Sequence, residues 1–230
     1  MNDRNKHLVI NKDGFSLIEV VLAIGIFLVT VLALVGLLGP TLQSVNEVEK
    51  TDAVSSVVNT VNSFLHNSPA IASGSNFETV FNALKKSSDS SATLFVYQAY
   101  REDNSEAVKL RVGFDVDVSV ADKTKGRVVK TDLSDAAGSI YRVVLTPSSV
   151  LPVTGQNASG TDVSYRSATR SSTTNAYSLI VNFSDYMEGS FAMEVRIYAE
   201  DPGPTFIYSK NLEVLKDEEP IFTYNIAIVR

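Results

Sequence analysis

Residues 20–39 read VVLAIGIFLVTVLALVGLLG, twenty residues without a charge. At about 1.5 Å of rise per residue, a helix of that length crosses a hydrocarbon core of roughly 30 Å. A soluble protein could hold a helix so apolar only by burying it on every side. The sequence therefore predicts a membrane span from Val20 to Gly39. Ahead of it stand Arg4, Lys6 and Lys12, partly offset by Asp3 and Asp13; behind it stand Glu47, Glu49, Lys50 and Asp52. The basic side of a span stays in the cytoplasm, so the expected topology is single-pass, with the N-terminus inside and the C-terminal part exported. An ordinary secretory signal fits poorly. The apolar run is too long, and Leu38-Gly39-Pro40 makes a poor cleavage site.

Composition narrows the function. The chain has 230 residues, with 20 Lys and Arg against 26 Asp and Glu and a net charge of −6, which argues against nucleic acid as a partner. Cysteine and tryptophan are absent, and histidine occurs only at His7 and His66. Nucleophilic triads and thiolate metal sites therefore have little to work with, and no enzyme activity and no cofactor are expected. His66 falls at the end of a helical pattern, where a cation suits the dipole. Asp115 and Asp117 alternate onto one strand face and are expected to be solvated carboxylates. Asp217, Glu218 and Glu219 form an acidic cluster without the glycine-containing spacing of a calcium loop, so no metal is expected there.

Directly before the span lie Lys12-Asp13-Gly14-Phe15-Ser16-Leu17-Ile18-Glu19. This stretch resembles the prepilin processing site of type IV pilins and type II secretion pseudopilins. That pattern is a short basic leader, glycine, an aromatic residue, Ser or Thr, two aliphatics, glutamate, then an unbroken apolar helix. The run from Gly14 to Val45 is also similar to prepilin-like proteins of a cassette found in Verrucomicrobia. The resemblance covers about the first 45 residues. It implies that a prepilin peptidase cuts between Gly14 and Phe15 and that Phe15 is N-methylated. It further implies that Glu19 serves assembly by neutralising a neighbouring subunit's new amine. The partners it implies are the peptidase, other pilin or pseudopilin subunits, an inner-membrane assembly platform and membrane lipid. The location it implies is the inner (cytoplasmic) membrane, then a filament. The residues themselves are compatible. Gly14 places no side chain in a protease cleft, and a carboxylate at the edge of a bilayer segment is costly enough to suggest a function. Glu19 could also snorkel to the headgroups, or neutralise its own Phe15 amine.

Apolar spacing continues through Leu42, Val45, Val48, Val54, Val57, Val58, Val61, Phe64 and Leu65, and Pro69 ends it. A continuous helix from Phe15 to His66 would reach roughly 78 Å at about 1.5 Å per residue. Gly36, Gly39 and Pro40 interrupt this pattern, so a kink or a melted turn is expected at 36–40. The expected division is a leader at 1–14, a transmembrane and assembly helix at 15–40, an exported amphipathic half at 41–68, and an exported β-rich domain at 69–230.

Within that domain a short helix is expected after a capping box of Ser75 and Glu78, with Phe77, Val80, Phe81 and Leu84 on one face. Strands are expected at 92–100, 108–120, 139–146, 177–184, 191–199, 205–209 and 221–229. The first two should form a hairpin, as should 177–184 with 191–199. Alternation over 108–120 predicts a sheet with one buried and one wet face. Residues 154–176, rich in Ser, Thr, Asn and Gly, read as a long mobile loop. The fold class expected is α+β, a long N-terminal membrane-spanning helix packed on an antiparallel sheet, which is also the pilin architecture. The function expected is a structural subunit, minor rather than major, of a type IV pilus-like or type II secretion-like filament. The alternative is a membrane-tethered exported binding module that does not polymerise.

Overall fold

The computed structural model describes residues 14, 16–67, 76–100, 108–115, 127–134, 136–203 and 206–230. The leader before Gly14, Phe15, Ser75, Asp117, the second half of the expected 108–120 strand and the link 101–105 lie outside the described residues. The chain divides into two compact units, the boundary along the sequence falling between Ala53 and Val54. The class is α+β: one long apolar N-terminal helix and an antiparallel sheet.

Helix α1 runs Leu17–Asn67. Its assignment continues without a break through Gly36, Gly39 and Pro40, so the melted turn does not occur. Proline removes one donor, but the bonds of the flanking residues hold the adjoining turns, and a bend is compatible with that continuity. In the first unit the segment Leu17–Leu37 is 21 residues with mean hydropathy 3.0, and none of it is buried.

In the second unit, the last turns of α1 bury Val57, Val61, Phe64 and Leu65. Helix α2 (Asn76–Lys86) follows, and its Phe77, Val80, Phe81 and Leu84 are buried as the spacing predicts. Strands β1 (Ala92–Tyr100) and β2 (Val108–Asp115) pair antiparallel, Leu94 opposite Phe114. Then come β3 (Arg127–Val128), α3 (Lys130–Ser134), β4 (Ile140–Pro147), β5 (Thr154–Gln156), β6 (Asp162–Ser164), β7 (Ser190–Glu200), α4 (Leu212–Leu215) and β8 (Phe222–Val229). The main sheet has the order β3-β2-β1-β4-β7-β8, antiparallel except for the short β2–β3 pair, while β5 and β6 pair separately.

One face of this sheet carries Leu94, Val96, Val143, Leu145, Phe191, Met193, Val195 and Ile197 against α2 and the end of α1. The aromatic centre is Phe81, whose ring centroid lies 5.1 Å from Phe191 and 5.2 Å from Tyr186. The other face is wet at β2, where Lys109 and Arg111 are exposed, but covered over β1, β4 and β7. Phe95, Tyr97 and Ile140 are buried there with Leu133 of α3 and with Phe206 and Tyr208 packed against them; Val144 and Tyr198 are buried with Leu212 and Leu215 of α4. Alternation marks one apolar face, but a second layer made of short helices and loops leaves little periodic signal.

Two expected strands are absent. Residues 177–182 make only an isolated bridge, Arg166 to Leu179, and 183–185 form a 3-10 turn. The expected hairpin partner, β7, has both edges occupied by β4 and β8. Leu179 and Val181 are buried all the same, which is why the segment looks strand-like. Residues 206–209 are also irregular, because their carbonyls turn to a side chain: Ile207 and Tyr208 accept from the Arg142 guanidinium at 2.6 and 2.9 Å. The expected long loop 154–176 contains the β5–β6 hairpin and the buried Tyr165 and Arg166.

Candidate functional site at the start of the apolar helix

The start of α1 is capped from its own sequence. Ser16 precedes the first helical residue, and its hydroxyl oxygen accepts from the Ile18 N–H at 3.4 Å. The Ser16 N–H donates to Glu19 Oε2 at 3.2 Å, and the Val20 N–H donates to the Ser16 carbonyl at 3.2 Å. This is a reciprocal capping box: two donors orphaned by the helix start are satisfied, and a carboxylate sits at the positive end of the dipole. Sequence reasoning applied the S-x-x-E signature to Ser75 and Glu78 but overlooked it at Ser16 and Glu19, where it is equally legible. Gly14 is exposed, and a Cβ built on it meets no atom within 4 Å. The peptide that follows Gly14 therefore departs from an uncrowded residue. Phe15, its other half, lies outside the described residues.

From Val20 to Leu37 the exposed surface of the helix is apolar apart from Thr30. Leu17, Phe27 and Leu32 are 83%, 66% and 71% exposed, and Thr30, polar within this run, turns its hydroxyl to the Ile26 carbonyl at 2.8 Å. Side chains so apolar all round the helix favour an apolar medium. The helix is long and apolar enough to cross a membrane.

Comparison with protein-family models, curated proteins and solved structures finds no match.

The other residues singled out by sequence are not brought together. His66 is exposed in the last turn of α1. Asp115 is not the solvated carboxylate expected. It is 8% exposed, on the floor of a polar groove between Lys86–Ser91 and Ser209–Asn211. The cause is again the second layer on that face of the sheet. Glu218 is bound by Lys210 at 2.9 Å, and Lys210 also reaches Glu200 at 3.0 Å. Among the described residues no group of three or more His, Cys, Asp or Glu side chains converges.

Two buried charge clusters were missed by sequence. Arg142, 0% exposed, donates to Glu200 through Nε and one terminal nitrogen, both at 2.9 Å, and lies over the Phe95 ring at 4.9 Å. Burial alone would push the Glu200 carboxyl up. The Arg142 hydrogen bonds and charge, with Lys210, outweigh that and hold it below the usual carboxylate range. Glu194 is held low in the same way: burial is overcome by hydrogen bonds from Arg170 and Arg196. Arg196 also donates to the Asn175 carbonyl at 2.6 Å. Little marked them in advance: Arg142 in IYRVVLTP, and Glu194 and Arg196 in FAMEVRIYAE, alternate with the core-facing residues and so read as solvent-facing until the second layer covers them. Such charges need each other. Both clusters use their groups on one another and on backbone carbonyls, so they hold the fold.

Proposed function

We propose that this chain is a prepilin-type subunit, a minor component of a type IV pilus-like or type II secretion-like filament. It is cut between Gly14 and Phe15, methylated on Phe15 and assembled through α1. The observation that carries this reading is a single carboxylate, Glu19, in the first turn of a helix whose stretch Leu17–Leu37 is otherwise uncharged and is not buried. The adjoining Gly14-Phe15 sequence, which resembles a processing site, adds to it. In that reading the helix stores the subunit in the inner membrane, N-terminus in the cytoplasm, with residues beyond it exported. Burial of α1 against α1 of neighbours then drives stacking, and Glu19 neutralises a neighbour's Phe15 amine. Head-to-tail contacts of that kind do not close, so they propagate as a helix.

A second reading rests on the capping box. Glu19 has a local task, and a membrane-tethered binding module would need it for nothing more. Gln preserves a capping box but removes the charge. The filament reading predicts that Glu19→Gln and Glu19→Ala both insert, are both cleaved to a methylated Phe15 by intact mass, and both fail to crosslink through residues 17–37 to other subunits. Normal incorporation of Glu19→Gln beside a defective Glu19→Ala would leave the cap as the residue's whole role.

A further inference from the structure

The last strand ends the sheet with an open edge. The Ser148 N–H donates to the Ala192 carbonyl at 3.1 Å, so the even-numbered residues of β7 turn their backbone toward β4 and the odd-numbered ones toward β8. The Arg230 N–H, bonded to the Gly189 carbonyl at 2.9 Å, agrees. Phe222, Tyr224, Ile226 and Ile228 therefore bond to β7. Thr223, Asn225, Ala227 and Val229 turn their N–H and C=O groups outward. All four are exposed, and among the described residues those groups have no hydrogen-bond partner. The register is constant over the eight pairs from Phe222 to Val229, with an irregularity only at the start, where the Ile221 N–H donates to the Ile197 carbonyl at 2.8 Å, and Phe222–Val229 contains neither charge nor proline. Natural edges are normally blunted by one of these devices.

We propose that β8 is a self-association edge: a second copy of this chain adds its own β8 antiparallel, joining two six-stranded sheets about a two-fold axis. Charge selects the occupant. Asp217, Glu218 and Glu219 precede the strand and Arg230 follows it. Asp217, Glu219 and Arg230 have no ion-pair partner among the described residues. An antiparallel copy sets each Arg230 against the other's acidic end, whereas a parallel copy would oppose like charges. The outward backbone pattern allows two registers with near-complete overlap. With Asn225 facing Asn225, Arg230 comes opposite Pro220, beside the acids. With Asn225 facing Ala227, it comes opposite Phe222, away from them. The first register is the one assigned. It does not depend on processing or on filament assembly.

The chain has no cysteine, so Asn225→Cys introduces a unique thiol. Facing residues of a hydrogen-bonded pair have Cα atoms about 5.5 Å apart, within disulfide reach. Oxidation of the full chain in detergent micelles should yield a disulfide dimer with Asn225→Cys and not with Ser159→Cys, an exposed turn position. Adding Ala227→Pro removes an outward donor without touching the β7 ladder. It should cut dimer formation by about tenfold or more, as should the pair Thr223→Lys and Ala227→Lys, which places like charges face to face. Arg230→Glu should weaken the dimer, and Glu219→Arg added to it should restore it. Tyrosine circular dichroism checks that each variant is folded. Three results would overturn the proposal: dimer no greater than the Ser159→Cys level, equal dimer in folded edge-blocked variants, or the thiol of Asn225→Cys captured only by a different protein in native membranes.

Discussion

Arg142 has its charge in the middle of the sheet, and Glu200→Gln tests what holds it there. The substitution keeps the shape but removes the counter-charge from a guanidinium that is 0% exposed. The Ile207 and Tyr208 carbonyls remain as acceptors. Breaking one half of a buried pair costs about 3–5 kcal/mol, and because Gln still accepts one bond we expect the lower end, about 3 kcal/mol. For a unit of this size that lowers Tm by about 6–12 °C. Glu218→Gln is the internal contrast. Its side chain is 39% exposed where it meets Lys210, so we expect under about 1 kcal/mol. The assay is urea and thermal unfolding of the full chain in micelles, followed by near-ultraviolet circular dichroism of tyrosine. All nine tyrosines lie between Tyr97 and Tyr224, so the apolar helix is silent in that signal. Acid supplies a second axis. Because the folded Glu200 carboxyl is held low, its contribution is complete above the unfolded carboxylate value of about 4.3 and is lost as pH falls through the folded value. The gap between wild type and Glu200→Gln should be full at neutral pH and narrow below about pH 4.3. A gap below about 1 kcal/mol at neutral pH, or one unchanged by acid, would refute the reasoning.

Two further predictions concern packing. Gly155 lies flat on Tyr165: a Cβ there would stand 2.3 Å from ring atoms Cε2 and Cζ. Gly155→Ala should cost about 1–3 kcal/mol, with part of the loss recovered when Tyr165→Leu is added; equal stability of Gly155→Ala and wild type would contradict the contact. Burial pushes the Tyr224 hydroxyl up to about 12, and that hydroxyl donates to Asn62 Oδ1 at 2.9 Å. Stability should therefore fall as pH rises from the unfolded value of about 10 toward 12, and Tyr224→Phe should remove a share of that slope. An unchanged slope would place the alkaline loss elsewhere.

What was legible in the sequence followed periodicity. The apolar run at 20–39, the face Phe77-Val80-Phe81-Leu84, and strands β1, β4, β7 and β8 all carry a period that survives folding. Segment 177–184 misled because YSLIVNFS has a strand's composition but finds no free sheet edge. Its backbone pairs locally instead, with Ser167 donating to the Ser178 carbonyl and Ile180 to the Tyr165 carbonyl, both at 2.9 Å. The second layer over the sheet was illegible because α3, α4 and residues 206–208 are too short for a period. At the candidate site, the order of Gly14 through Glu19 was plain to read, whereas the hydrogen bonds linking Ser16 to Glu19 needed coordinates.

The seam between residues 54–67 of α1 and the sheet has a mechanical meaning. Val57, Val61, Phe64 and Leu65 join it by side-chain contact. A pull transmitted along α1 therefore reaches the sheet through a largely apolar seam, with the Tyr224 hydroxyl bonded to Asn62 across it, rather than through a β ladder. Dispersion contacts are individually weak and carry no fixed direction, so such a seam can slip and reseat where a ladder would have to rupture. Tethered this way, the sheet has a yielding coupling between itself and whatever holds the helix.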